Sequence, residues 1–519
     1  MTFTQAEIGA ILAEHLSIFR LPGVLSVRPG YELRDGWLTG TPAIVVTVGR
    51  RQLHSDALPA SVDGVPVDVR PASEAKRAQL RDPVAYARRW GPYPDRGAVP
   101  EFATELNLAR RRRTHPVPHI ATPTKPNLPY SPPTNIILEP VTGPITLQLS
   151  ASPDSGWPTL GPFLAGTQTS LTVGLYDFTS AHILDAVKAA LPGRKVDLVL
   201  DHPAKNPTAD QTDEETVAAL KTALGADLAQ AWALERMDPL AAAWIFPTAY
   251  HIKVAVRDSR EVWLSSGNWN NSNQPDIDPV SRPGDAAAAR SGDRDWHVII
   301  QNEQLAGTFE AFLHNDLAIA LQHDRPTPAL DLQGEVALPN VQTPPFATFF
   351  PAQTVSGPMR ITPLLTPDPG VYIDAVTALI AGARKSLYLQ FQYIELPKTA
   401  STASQPFAAL VQTVIGRQQA GVEVKIIMSE YETAGYLEQL QAAGLDVVNV
   451  VRIQNNVHNK GIVVDGSVVL VSSQNWSTDG TLFNRDAGVI IENADAAGYF
   501  QRIFLHDWNH LAQQKVTND

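Results

Sequence analysis

Two short stretches hold the residue types that could carry out chemistry. Tyr250-His251-Ile252-Lys253 is followed by Asp258, Ser266 and Asn268, and Val457-His458-Asn459-Lys460 by Asp465, Ser473 and Asn475. Histidine and asparagine are 17 residues apart in each stretch, histidine and aspartate seven. A histidine and a lysine two apart on a strand point to the same face. An imidazole, an ammonium, a hydroxyl and an amide on one rim supply a nucleophile or acid plus donors for an oxyanion such as phosphate. Residues 461–473 read as two β-branched strands broken at Asp465-Gly466, a two-residue hairpin that returns Ser473 and Asn475 beside His458 and Lys460.

The correspondence continues downstream. Arg294-Asp295 matches Arg485-Asp486; Asn302 and Asn493 follow their arginines by eight residues, Phe309 and Phe500 by fifteen, Asp316 and Asp507 by twenty-two. Repeated offsets of this kind mark an internal duplication and two similar halves. If the halves close on one site, Lys253, Lys460, Asn268 and Asn475 neutralise and orient a phosphodiester, with Ser266 and Ser473 as further substrate contacts. One histidine attacks phosphorus; the other protonates the leaving oxygen and then activates water. An unperturbed imidazole titrates near pH ~6.5, so opposite protonation states are attainable in one site. Each ring needs an orienting group on its other nitrogen, and Asp295 and Asp486 are the candidates. Asp258 and Asp465, at the hairpin turns, are assigned to structure as caps of backbone donors.

The pattern His-x-Lys, Asp, two small residues, x, Asn resembles the HKD signature of the phospholipase D superfamily, and the resemblance covers roughly residues 140–515. Both copies match, with Ser265 and Ser472 standing where the family usually has glycine. The resemblance implies a phosphohistidine intermediate, the first histidine (His251) as nucleophile, and no metal or other cofactor.

The elements that must position these residues follow from the pattern. In the first half strands are expected over 171–175 and 196–200, with helices over 182–191 and 213–224. In the second half strands are expected over 387–391, 424–428 and 447–451, with helices over 407–419 and 432–443. Ser152-Pro153-Asp154 and Thr366-Pro367-Asp368 open the two halves alike. This alternation predicts an α/β fold: two pseudo-symmetric phospholipase D-like sandwich halves, over 141–325 and 358–519. Ahead of them stands a small α+β accessory domain over 1–90, with a helix at 8–21, strands from Val24, Ala43 and Val65, and a helix at 73–90. Its lone His54 reads as a surface residue. Residues 91–140 are a proline-rich linker and 326–357 a proline-rich connector. From His251 to Asp295 is 44 residues but from His458 to Asp486 only 28. The surplus is a polar loop over 270–293, either a lid or substrate-selecting wall or an inert surface excursion.

The chain has 519 residues, no cysteine and a formal net charge of −12. Absence of cysteine excludes a thiol nucleophile, a disulfide framework and a cysteine zinc site. The N-terminus lacks a basic, apolar leader and no run approaches the length of a membrane span, so a cytoplasmic protein is expected. The negative balance disfavours a long nucleic-acid footprint. The substrate expectation is therefore a phosphodiester, phospholipid first and nucleic acid second, with hydrolysis or transfer as the reaction. Aromatic residues beside the motifs (Trp244, Phe246, Tyr250, Trp269, Trp296, Trp476) would line an acyl or headgroup pocket or belong to the core, and core is favoured for Trp269 and Trp476. Arg110 to Arg113 is the one obvious basic run, read as a solvated helix end with a transient membrane-surface or phosphate contact as the sharper alternative. No obligate protein partner is indicated. A non-catalytic scaffold is disfavoured because both motifs are complete.

Overall fold

The computed structural model describes residues 3, 5–19, 21, 24–34, 37–48, 58–71, 130–134, 136–201, 210–236, 241–243, 245–246, 248–323, 348–368, 370–397, 401–429 and 433–514. His54, the expected helix 73–90, residues 91–129 with Arg110 to Arg113, Trp244 and residues 326–347 lie outside the described residues. The chain divides into two units, 1–124 with 513–519, and 125–512.

In the smaller unit the expected first helix is shorter and starts earlier: α1 spans Gln5–Glu14, and a single 3-10 turn, Leu16–Phe19, follows. Strands β1 (Val24–Arg34), β2 (Trp37–Val48), β3 (Ser61–Val62) and β4 (Val65–Pro71) form a sheet of order β1-β2-β4-β3. Ile8 and Leu12 of α1 pack on Val27, Val46 and Val65 of the sheet.

The larger unit is built from the duplication. Its first half runs β5 (Val141–Ser152), α2 (Gly156–Ala165), β6 (Ser170–Leu175), α3 (Ala181–Ala190), β7 (Lys195–Leu200), α4 (Asp213–Leu224) and β8 (Leu228–Trp232). A ribbon of β9 (Leu234–Arg236) and β10 (Ala241–Ala243) follows, then β11 (Lys253–Arg257), β12 (Glu261–Ser265), β13 (Asp295–Gln301) and α5 (Glu303–His323). The second half repeats the plan. It contains β14 (Gln353–Thr366), α6 (Val371–Ala381), β15 (Ser386–Phe391), α7 (Gln405–Gln419), β16 (Glu423–Ser429) and α8 (Thr433–Ala442). After these come the short α9 (Val447–Val450), β17 (Val451–Gln454), β18 (Lys460–Val464), β19 (Val468–Ser472), α10 (Thr478–Leu482), β20 (Asp486–Glu492) and α11 (Ala494–His506). Strand β14 begins inside the segment expected to be connector.

One sheet runs through both halves in the order β17-β16-β15-β18-β19-β20-β14-β5-β13-β12-β11-β6-β7-β8. Each half has a parallel outer wing (β6, β7, β8 and β15, β16, β17) and an antiparallel inner part, and the halves join where β14 pairs antiparallel with β5. The order is therefore mirrored about that join. Apolar residues from both halves, among them Leu147, Trp296, Phe309, Val463, Val469 and Phe500, form one continuous core. The Trp296 and Phe500 rings stack at 4.7 Å, and Gly461 makes room for them: a Cβ there would lie 2.3 Å from the Trp296 ring.

One expected strand is misplaced. Residues 447–450 turn helically before β17 begins, although the run is β-branched. Asp446 caps that turn, accepting the Asn449 N–H at 3.3 Å and its side-chain amide at 2.7 Å. A local cap of this kind outweighs a weak strand propensity.

Candidate active site

The antiparallel order brings the start of β11, the end of β12 and the start of β13 to one rim, and does the same for β18, β19 and β20. His251 and His458 do not lie on the strands, as their spacing suggested; each sits just ahead of its strand, which its lysine begins. The hairpins are also wider than expected. Val464 pairs with Val468 across three residues and Arg257 with Glu261 likewise. Asp258, Ser259, Asp465 and Gly466 take positive φ of 54°, 55°, 52° and 65°. The reason lies in what the two aspartates do. Asp465 reaches across to accept the backbone N–H groups of Arg384, Lys385 and Ser386 at 2.7–2.9 Å, and Asp258 those of Gln168, Thr169 and Ser170 at 2.7–3.1 Å. Burial opposes ionisation, yet these donors hold both carboxyls below the usual range. They pin the entry of β6 and β15, the strands beside the lysines.

The two motifs form one site, and they do so by exchange. His251 Nδ1 lies 2.8 Å from Asp486 Oδ1, and His458 Nδ1 lies 3.0 Å from Asp295 Oδ1. Each imidazole is thus oriented by the carboxylate of the opposite half. The backbone crosses in the same way. Arg294 N donates to Asn456 O at 2.7 Å and His458 N donates to Arg294 O at 3.1 Å, while Arg485 N donates to Ala249 O at 2.8 Å. The rings are deep, His251 3% and His458 5% exposed.

Lys253 Nζ turns back to His251 O at 2.6 Å; Lys460 Nζ bonds His458 O and lies 2.9 Å from His458 Nε2. Burial, then the charges of Lys253 and Lys460, push His251 well below an ordinary imidazole. Burial pushes its partner Asp486 up, while both lysines favour its anion. The lysines act on the coupled pair in one sense: they oppose a proton on Nε2 and favour a carboxylate facing Nδ1–H. At the other histidine, burial would raise Asp295, but the adjacent His458, by charge and hydrogen bond, and then Lys460 hold it down to about 2.

The Ser266 and Ser473 hydroxyls are engaged by the orienting carboxylates and the backbone beside them. Ser266 Oγ donates to Asp295 Oδ1 at 2.7 Å and accepts Trp296 N; Ser473 Oγ donates to Asp486 Oδ1 at 2.6 Å and accepts Ala487 N. This replaces the substrate contact expected of them with contact to the orienting carboxylates. Asn268 and Asn475 are buried beside the histidine rim; Asn268 N donates to Asn273 Oδ1 at 2.9 Å. Asn273 belongs to the surplus loop. That loop's first limb is buried (Asn270, Ser272, Asn273, Gln274), and its far end reaches the other half, where Asn456 Nδ2 donates to Arg290 O at 3.2 Å. The loop is anchored at both ends and is not a free surface excursion. Of the aromatic residues, Trp269, Trp296 and Trp476 are core, as are Phe246 and Tyr250.

Reasoning from sequence missed a second shell of charge. Arg294 grips Asp507 through Nε and Nη2 at 2.8 and 3.0 Å, and its Nη1 bonds Asp154 at 3.0 Å. Arg485 grips Asp316 at 2.8 and 2.7 Å and bonds Asp368 at 3.2 Å. Every partner was visible in the repeat offsets and in the matched Ser-Pro-Asp and Thr-Pro-Asp openings; what was missing was a reason to pair Asp507 and Asp316 with the arginines of the opposite halves. Among the described residues no group of three or more His, Cys, Asp or Glu side chains is placed to hold a metal ion.

Residues 376–508 match the family model described as "Cardiolipin synthase, PLD-like domain". No curated protein sequence matches the chain. Among solved structures, phosphatidylserine synthase from Haemophilus influenzae Rd KW20 is similar at 14% identity, over 71% of this chain and 87% of that one, with a TM-score of 0.46. Nuc from Salmonella typhimurium, a phospholipase D family member, is similar at 21% identity over 31% and 99% of the two chains, with a TM-score of 0.26. NucT from Helicobacter pylori is similar at 16% identity over 34% and 96%, with a TM-score of 0.25.

Proposed function

We propose that the chain is a phosphodiesterase of the phospholipase D superfamily, in line with the PLD-like family match over residues 376–508, working through a phosphohistidine, with a phospholipid as substrate. The observation that carries the reading is the exchange of orienting carboxylates between the halves, with the charges of two buried lysines and of His458 all acting on His251. His251 Nε2 attacks phosphorus in line as the bond to the leaving oxygen breaks. Lys253, Lys460, Asn268 and Asn475 take up the phosphate charge. Phosphate oxygens draw Lys460 off His458 Nε2, which then carries the proton delivered to the leaving alkoxide. In the second step water attacks phosphorus, His458 accepts its proton, and the P–N bond electrons return to His251. Replacement of water by an alcohol gives transfer. Ser266 and Ser473 hold Asp295 and Asp486 in place.

Neutrality of His251 supports its role as nucleophile. Besides burial, the Tyr176 ring lies edge-on to it at 4.9 Å and Lys253 Nζ sits 5.0 Å above that ring. The net charge of −12 and the depth of the rings favour a small or lipid diester over a nucleic acid. The test is turnover of a nitrophenyl phosphodiester, phosphatidylcholine vesicles and single-stranded DNA, each with and without EDTA. The reading expects release from the first two, unchanged by chelator. Turnover of DNA alone would move the substrate to nucleic acid, and loss in EDTA restored by a divalent ion would defeat the mechanism.

A further inference from the structure

The two arginine clamps lie behind the site, and each is wired to one of the two motif histidines. Arg294 belongs to the first half, but its side chain is seized by Asp507 of the second, and its backbone bonds both Asn456 and His458. The next residue, Asp295, holds the His458 ring. The dipeptide Arg294-Asp295 therefore fixes His458 by backbone and ring together. Arg485-Asp486 holds the His251 ring through Asp486, with its guanidinium seized by Asp316 of the first half and its N–H bonded to Ala249, two residues before His251.

Polar side chains extend each clamp to the histidine it serves, by different routes. Asp507 also accepts Gln390 Nε2 at 3.0 Å; Gln390 Oε1 accepts Asn459 Nδ2 at 3.1 Å, and Asn459 directly follows His458. Asp316 accepts the Tyr250 hydroxyl at 3.2 Å, and Tyr250 directly precedes His251. Gly174 occupies the strand position that matches Gln390, and a Cβ there would lie 2.9 Å from the Tyr250 hydroxyl. The routes are exclusive: the glycine that admits Tyr250 leaves no place for a glutamine.

We infer that the clamps are step-specific positioning devices, Arg294 with Asp507 governing proton delivery by His458, and Arg485 with Asp316 governing attack by His251. This rests on the phosphodiesterase reading above for its chemistry but not for its geometry. A group that merely stabilised the fold would affect both histidines alike, because the core is shared.

The experiment compares Asp507→Asn with Asp316→Asn, and in parallel the near-isosteric pair Gln390→Met and Tyr250→Phe, which keep the charges and remove the hydrogen-bonding groups of the relay. Each full-length variant is assayed with a nitrophenyl and an alkyl phosphodiester of the same headgroup. Asp507→Asn and Gln390→Met should lower alkyl ester turnover by about 10-fold or more while changing nitrophenyl release less than about 3-fold, since a good leaving group needs little general acid. Asp316→Asn and Tyr250→Phe should lower both by the same factor. A second readout needs no substrate: in protein labelled with ¹⁵N-histidine, the downfield Nδ1–H resonance of His458 should move in the first pair alone and that of His251 in the second alone. Equal effects of both pairs on both substrates or both resonances would overturn the inference, as would folded variants of both pairs with parental behaviour. If the parent turned over no diester while the selective resonance shifts persisted, the clamps would stand as assigned and the phosphodiesterase reading would fall.

Discussion

Tyr250, immediately before His251, is anchored at two points: its N–H donates to Asp201 at 2.7 Å and its hydroxyl to Asp316. Around His458 the anchor is on the other side, through Asn459 and Gln390, and the preceding residue is an apolar valine. The site walls differ as well. Tyr176 closes over His251 and Lys253, while the matching position in the second half is the half-buried Gln392. Duplication supplied two equal motifs, each ring paired with a carboxylate of the other half, but their surroundings are unequal: burial and two lysines depress His251, while His458 and Lys460 hold Asp295 ionised. On the proposed mechanism the division of labour between the histidines lies in the flanking residues, since the motifs themselves are alike.

The sharpest way to break that comparison is to exchange the orienting carboxylates for amides. Asp486→Asn should lower turnover of every diester by about 10²–10⁴-fold, the scale of losing a carboxylate that fixes a catalytic imidazole. Asp295→Asn should do the same for alkyl esters and much less for nitrophenyl esters. If Asp486→Asn showed the leaving-group dependence instead, the roles of the halves would be reversed.

A second test uses a buried histidine that only the first half has. His297 is bonded to Ser265 and Ser152 at 2.7 and 2.8 Å, and Gly488 stands at its place in the second half. Burial pushes His297 down to about 4. Above pH ~6.5 neither folded nor unfolded chain binds a proton there. As pH falls from ~6.5 to about 4 the unfolded chain takes up a proton that the folded one refuses. Stability should drop by up to about 3 kcal/mol across that window and level off below it. In His297→Gln, denaturant titrations at pH 7 and pH 4.5 should show a smaller difference than in the parent; an unchanged difference would place the acid sensitivity elsewhere.

Smaller effects separate holding from binding. Ser266→Ala and Ser473→Ala each remove one hydrogen bond to an orienting carboxylate, worth about 1 kcal/mol or roughly 5-fold. The loss should appear in kcat with KM unchanged. A rise in KM at constant kcat would restore the hydroxyls to substrate contact.

Much of this was legible in the sequence. Equal offsets revealed the duplication, period-two runs placed β6, β7, β15 and β16 within a residue or so, and the turn position of Asp258 and Asp465 pointed to capping. The crossing was not legible. Spacing within a half fixes which strand ends share a rim, but not which carboxylate meets which ring; that depends on the antiparallel join of β14 with β5, a contact between distant segments. Ser266 and Ser473 were misread for the same reason, since a small hydroxyl beside a catalytic rim looks the same in sequence whether it faces a ligand or a neighbouring carboxylate. The strand expected at 447–451 failed on one capping side chain, Asp446.

The most direct test of the account is to trap the covalent intermediate with a labelled nitrophenyl phosphodiester and map the adduct. In His458→Asn the label should accumulate on His251, because attack survives while the base that activates water is gone. His251→Asn should take up no label from any diester. An adduct on His458, or turnover in the parent with no adduct in either variant, would contradict the account.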